Sequence, residues 1–307
     1  MSATHLSRKD YLCALAVVVI WGLNFVVMKF GLKGLSPMML GALRFALAAF
    51  PLVLFVRPPR LPWHWIAAYG LVQGLGQFGL LFTALKFGMP AGMASLVIQT
   101  QAFFTLLLAA PVLHERARRH HWIGLGVAAV GLAVIAAGRG EGPGQMTMLG
   151  FTLTLGGAFM WAVSNMIVRL ASRKSPGYDP FAFIAWSSAA PVLPFLALAV
   201  WADGWEPVVG MITGIGWSEA LSVLYLAVLA TLLAYTLWTQ LLTRHPAAKI
   251  APFSLLVPVV GLWAASAAFG EQLQPLQWLG AGGVLAGLIV NQVGCLLYTS
   301  PSPRDQR

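Results

Sequence analysis

Charge is what this chain has least of. Asp, Glu, Lys and Arg together make up 9% of its residues, against about a quarter in soluble domains. Its nine acidic residues (Asp10, Glu115, Glu141, Asp179, Asp203, Glu206, Glu219, Glu271 and Asp305) all avoid the middle of apolar runs. The chain therefore offers no buried carboxylate pair, and it has neither a His-Glu-x-x-His sequence nor a histidine in the interior of an apolar run. An intramembrane enzyme would need such a nucleophile–base pair or metal ligands, so an enzyme is not expected. The two cysteines, Cys13 and Cys295, make no disulfide framework and no ligand cluster, and neither a metal nor a cofactor is expected. A channel would carry a charged ring or a carbonyl filter, and neither is legible. Long polar stretches are missing too, which leaves no room for a separate soluble domain.

What fills the chain is apolar: hydrophobic residues make up 59% of it. A helix needs about 20 apolar residues to cross a hydrocarbon core. Ten such runs are present, at 11–30, 37–56, 64–87, 90–113, 121–138, 147–171, 180–202, 218–242, 246–269 and 275–296. The expected fold is an all-α integral membrane protein of ten transmembrane helices. Arg8 and Lys9 before the first run imitate a signal peptide, but no small-residue cleavage site follows, so an uncleaved first helix is expected. From 297 to 307 the composition turns abruptly to Ser, Pro and charge, as in a disordered tail foreign to the fold.

The net charge of +10 is a signal of topology rather than of a nucleic-acid partner. With the breaks sorted by side, one side receives Arg8, Lys9, Arg57, Arg60, Arg116, Arg118, Arg119, Arg173, Lys174 and Arg244, and the other only Lys33, Lys86 and Arg139. Short cytoplasmic loops hold the excess of Lys and Arg, which places both termini inside (N-in and C-in).

The chain also repeats itself. Leu85, Pro90, Ala91, Glu115, Trp122, Gly124 and Gly126 recur at one constant offset as Leu241, Pro246, Ala247, Glu271, Trp278, Gly280 and Gly282. Ile20 to Asn24 aligns with Met160 to Ser164, and Lys29 with Arg169, at a smaller offset. The second half thus holds extra residues, which the breaks at Arg173–Pro180 and Trp201–Trp217 can accommodate. Two repeats are expected, at 11–138 and 147–296. Five spans is an odd number, so the second half starts on the opposite side and the repeat is inverted. That architecture belongs to transporters.

On these residues the chain resembles the drug/metabolite transporter superfamily, and within it the EamA family. Trp-Gly-Leu-Asn-Phe at 21–25, Leu-Arg-Phe at 43–45, and Glu115 and Glu271 opening the last helix of each half carry the resemblance. Gly88 to Gly92, Gln101 to Thr105 and Ser254 to Leu262 look similar to the family's exporters of O-acetylserine and cysteine. The resemblance implies a multi-pass inner-membrane exporter of amino acids or related small metabolites. The alternative on the same fold is an exporter of aromatic amino acids or of hydrophobic cationic drugs.

Polar side chains inside spans nominate the cargo site, because they are costly there unless they face a cavity or a helix. Tyr69, Gln73 and Gln77 share one face of the third span, and the repeat image keeps only Tyr225. Interhelical hydrogen bonding is the competing explanation, at about 0.6 kcal/mol per contact. Arg44 lies deep in the second span with no acid at its depth, so helix-end carbonyls, a cargo carboxylate or a structural role anchoring loops remain open. Trp21 and Trp161, with Asn24 and Asn165 a turn away, suit a zwitterion as well as they suit core packing. Gln101 is preferred to Gln99 because Thr105 lies one turn on, and Tyr235 is placed opposite these residues in the second half. Gly70/Gly74 and Gly283/Gly287 read as packing, and the His114, His120 and His121 cluster as a solvated basic loop.

Lys29 and Arg169, related by the repeat, are candidate gates at opposite mouths; the plainer readings are snorkelling to the outer headgroups for Lys29 and the positive-inside rule for Arg169. With no ionisable Asp, Glu or His inside a span, facilitated exchange or antiport through helix-end groups is expected. The partners expected are a small metabolite and the lipid bilayer, with the protein acting as a monomer or a homodimer.

Overall fold

The computed structural model describes residues 6–113, 118–138, 145–175, 177–245 and 247–297. His114, Glu115, Arg116, Arg139, Glu141, Pro246 and the tail from Tyr298 lie outside the described residues. Regular structure among the described residues is helical throughout. Nine helices are long and apolar enough to cross a bilayer: α1 (Arg8–Gly31), α2 (Pro37–Phe55), α3 (Trp63–Lys86), α4 (Ala91–Val112), α5 (Arg119–Ala137), α6 (Met148–Lys174), α7 (Pro180–Asp203), α8 (Trp217–Leu242) and α9 (Pro252–Phe269). A tenth, α10 (Pro275–Leu297), carries the apolar stretch Pro275–Asn291.

Short polar signals set where the helices begin. Ser7, Ser36, Thr147 and Asp179 each accept a backbone N–H of their own first turn, and Pro37 and Pro180 pre-set the backbone at the start of α2 and α7. Beyond the caps, large apolar side chains face outward: Leu193, Trp201, Trp217 and Trp263 are each more than two-thirds exposed. In water such a surface would drive aggregation; in hydrocarbon it is the solvated face. Between α7 and α8 the short helix Trp205–Thr213 takes up part of the longer connection expected in the second half, and Met211 Sδ accepts the Ser36 N–H at 3.2 Å.

Contacts at the helix termini define two ends of the bundle. At one end Asp10 meets His245 at 3.1 Å, Lys174 lies over the Trp65 ring, and Trp186 donates to the Val56 carbonyl. At the other, Lys29 meets Glu271, Lys86 donates to the Leu32 carbonyl, and Thr147 donates to the Phe87 carbonyl.

The helices that face the interior are irregular. α3 passes through a π-helical stretch at Gly70–Phe78 and α8 through another at Tyr225–Leu233, within a residue of the positions the repeat equates. α4 tightens to a 3-10 turn at Ile98–Thr100, and at the equivalent place Leu255 separates the helix Ala247–Ser254 from Leu256–Phe269. Such irregular backbone survives at membrane depth only where protein or a cavity covers it.

α5 and α10 pack chiefly against each other, and glycine sets their closeness. A Cβ added at Gly124 would stand 2.7 Å from the Gly287 carbonyl oxygen, and one at Gly131 would stand 2.7 Å from that of Gly280. Gly70 and Gly74 likewise let α3 close on Ser187 and Pro191 of α7, in agreement with their reading as packing residues.

Candidate functional site

A cavity of about 580 Å³ lies among the helices, within the range of small-molecule sites. Its walls run from mid-helix residues of α1, α2, α3 and α4 to the ends of α6 and α8 and the start of α7, marked by Arg169, Leu242 and Pro180. It therefore reaches the end of the bundle that holds Asp10 and His245, and stops short of the end that holds Lys29 and Glu271. Of the residues singled out in the sequence, Trp21, Asn24, Arg44, Tyr69, Gln77, Gln101, Trp161, Asn165, Tyr235 and Arg169 line it.

α1 contributes an aromatic wall. The Trp21 indole N–H donates to the Ala230 carbonyl at 3.2 Å, within the π-helical stretch of α8. Its ring meets Tyr235 at 5.2 Å and Trp238 at 5.4 Å between centroids. One turn on, Asn24 is 7% exposed; its Nδ2 makes a long contact of 3.9 Å with Met28 Sδ, and its Oδ1 has no hydrogen-bond partner among the described residues.

Arg44 is 1% exposed. Its Nε and Nη2 donate to Thr231 Oγ1 at 3.2 and 3.0 Å, and its guanidinium carbon lies 3.9 Å from the centre of the Phe78 ring. Thr231 is in turn held by the Leu226 carbonyl at 2.8 Å. Nη1 of Arg44 has no hydrogen-bond partner among the described residues. Helix-end carbonyls, one of the partners considered from the sequence, are not among the hydrogen bonds of Arg44; a hydroxyl and an aromatic face hold it instead, because α8 brings Thr231 to its depth.

The amide stripe forms a network. Gln73 donates to Gln77 and to the Tyr235 hydroxyl, and accepts from Ser164. Gln101 Oε1 accepts from Asn165 Nδ2 at 2.9 Å and from Thr105 at 3.3 Å. Gln99, set aside in the sequence, also lines the cavity, with its Nε2 on the Ser254 carbonyl at 2.9 Å. Gln73 is not brought to the main cavity but to a small side pocket. Tyr225 is not brought there either: its hydroxyl donates to the Ile20 carbonyl at 2.8 Å, tying α8 to α1. Phe78, Tyr178, Trp238 and Thr239 were missed. Trp238 had a signal, its helical spacing from Tyr235; Tyr178 sits in a connection and gave none.

Lys29 lies away from the cavity. Its ammonium meets Glu271 Oε1 at 2.8 Å, and the same carboxylate accepts the N–H groups of Ala91 and Gly92 at 2.9 and 3.0 Å. Glu271 thus caps the first turn of α4, where backbone donors and the helix dipole favour an anion. The sequence reading had Glu271 open the last helix. The structure corrects this: α10 begins at Pro275, and Glu271 follows the left-handed Gly270 that ends α9. Sequence reasoning singled out Lys29 and Glu271 separately and missed that they pair.

Comparison with known proteins agrees with this architecture. The EamA-like transporter family matches the chain twice, over residues 8–137 and 148–292. A protein of Salmonella typhimurium described as "Probable amino-acid metabolite efflux pump" is 44% identical over 289 residues, covering 94% of this chain and 96% of that one. A protein of Escherichia coli with the same description is 42% identical, with the same coverage. A solved crystal structure superposes with a TM-score of 0.62 at 21% identity, over 96% of this chain and 100% of the other, a likeness of fold alone.

Proposed function

The chain belongs to the EamA-like transporter family, and on that premise we propose that its cavity is the cargo site of an inner-membrane exporter of amino acids or related small metabolites. The observation that carries this reading is a largely apolar cavity with a few polar side chains set into its wall, reaching one end of the bundle and latched at the other by Lys29, Glu271 and the first turn of α4. The open end carries Arg57, Arg60, Arg173 and Arg244, so the positive-inside rule makes it cytoplasmic. The conformation is then inward-facing, loaded from the cytoplasm and latched outside.

Alternating access follows from the repeat. The two units, 11–138 and 147–296, are related as inverted halves. The repeated π-helical stretches and the reciprocal glycine contacts of α5 and α10 support that relation. Exchange of the two halves' roles would open the outer end by releasing Glu271 from α4 and close the inner end around Arg169. The electrostatics favour an anion or a zwitterion over a hydrophobic cation: the described lining includes Arg44 and Arg169 and no Asp or Glu.

Thiol accessibility tests the reading. With Cys13 and Cys295 replaced by serine, Thr239→Cys should react with an impermeant maleimide from the cytoplasmic face and not from outside. Adding Glu271→Gln removes the charged latch, and a shift of about 1.4 kcal/mol moves the equilibrium tenfold. Labelling from the cytoplasm should then fall severalfold. Equal labelling from both faces in the parent, or no change on breaking the latch, would contradict the proposal.

A further inference from the structure

Two residues that line the cavity each carry a buried polar atom without a hydrogen-bond partner among the described residues, and the two atoms are chemically opposite: Nη1 of Arg44, a charged donor, and Oδ1 of Asn24, an acceptor. We propose that they form a head-group clamp that selects cargo carrying both a free carboxylate and a free α-ammonium, the carboxylate on Arg44 and the ammonium on Asn24. The inference rests on the cavity being the cargo site and deepens it.

Each atom's orientation is fixed by what its neighbours already take. Thr231 Oγ1 engages Nε and Nη2 of Arg44, and Phe78 supports the guanidinium face. Nη1 is the guanidinium nitrogen left without any acceptor among the described residues, and its N–H groups suit a carboxylate oxygen. Asn24 Nδ2 faces Met28 Sδ, which accepts a hydrogen bond and cannot donate one, so Oδ1 is the free pole of the amide. Arg44 and the α1 turn that precedes Asn24 are tied to adjacent residues of α8. Arg44 holds Thr231, and Trp21, one turn before Asn24, holds the Ala230 carbonyl. An α-amino acid joins its ammonium and carboxylate through a single carbon, so its head group fits a site where donor and acceptor flank one stretch of backbone. Leaving both atoms unpaired in the bundle is costly, and a cargo that pairs both removes the cost.

The test is uptake by everted vesicles containing the full chain. The probes are radiolabelled neutral L-amino acids, small and aromatic, each compared with its Nα-acetyl derivative, its carboxamide and its deamino analogue. At least one free amino acid should be carried, and each single-group derivative should compete at least tenfold more weakly, as expected for a hydrogen bond to a charged group. In Asn24→Leu the preference for the amino acid over its deamino analogue should collapse toward unity while uptake of the deamino analogue persists. A misfolded variant would lose both, and Asn24→Ser, which keeps an acceptor, should then retain part of the preference. Equal transport of amino acid, Nα-acetyl form and carboxamide would overturn the clamp and leave the exporter intact. Uptake of hydrophobic cations without amino acids would overturn the clamp as well. Absence of any saturable flux would reject the exporter reading itself.

Discussion

Arg44 costs more at its depth than its helix contacts return. An arginine at mid-span costs about 2.5–3.5 kcal/mol on insertion scales, and one interhelical hydrogen bond contributes about 0.6 kcal/mol in the membrane. Its bonds to Thr231 and its seat on Phe78 offset part of that cost and leave Nη1 unpaired. Gln77 behaves differently. It lines the cavity and receives a hydrogen bond from Gln73, which is also tied to Ser164 and Tyr235. Gln77→Leu should therefore lower transport severalfold while membrane insertion, judged by protein level in the membrane fraction, stays unchanged or improves. Unchanged transport would assign the stripe to packing. Arg44, Gln77 and Asn165 were legible in the sequence because a polar group in an apolar run stands out against its neighbours. Trp238 and Tyr178 were not, since aromatic residues also fill cores and interfacial belts. Tyr225 misled for the same reason: its hydroxyl serves a backbone carbonyl of α1.

The helices themselves were easier to read than their interruptions. Continuous apolar runs bounded by Ser7, Ser36, Thr147 and Asp179 announce helices and their starts. The π-helical stretch Tyr225–Leu233 announces nothing, because its residues are ordinary helix formers and the extra residue per turn is imposed by packing. The α5–α10 pair gives an element-level prediction. A methyl at Gly131 would meet backbone atoms at Gly280 and Val284, both 2.7 Å away, and backbone cannot swing aside. Gly131→Ala should force the two helices apart at a cost on the order of 1–3 kcal/mol and lower the midpoint of thermal unfolding in detergent. Gly280→Ala strains the same crossing, so the double variant should lose less than the two single losses combined. Additive losses would mean that the helices cross elsewhere.

At the scale of the whole molecule, the internal repeat was the strongest thing in the sequence, and five helices per repeat implied inversion before any coordinates. What the sequence did not contain was the conformation: no residue type tells which of two mouths is closed. The pairing of Lys29 and Glu271 and their cap on α4 supply that. The distance in sequence between Ala91, Lys29 and Glu271 hid this contact. The central claim is that one cavity is exposed alternately to the two sides. The most direct measurement is counterflow in proteoliposomes preloaded with an unlabelled carried amino acid, with labelled amino acid outside. The account predicts saturable entry that transiently overshoots equilibrium and is stimulated by the internal load. Linear, unsaturable entry indifferent to the internal load would describe a pore and would contradict it.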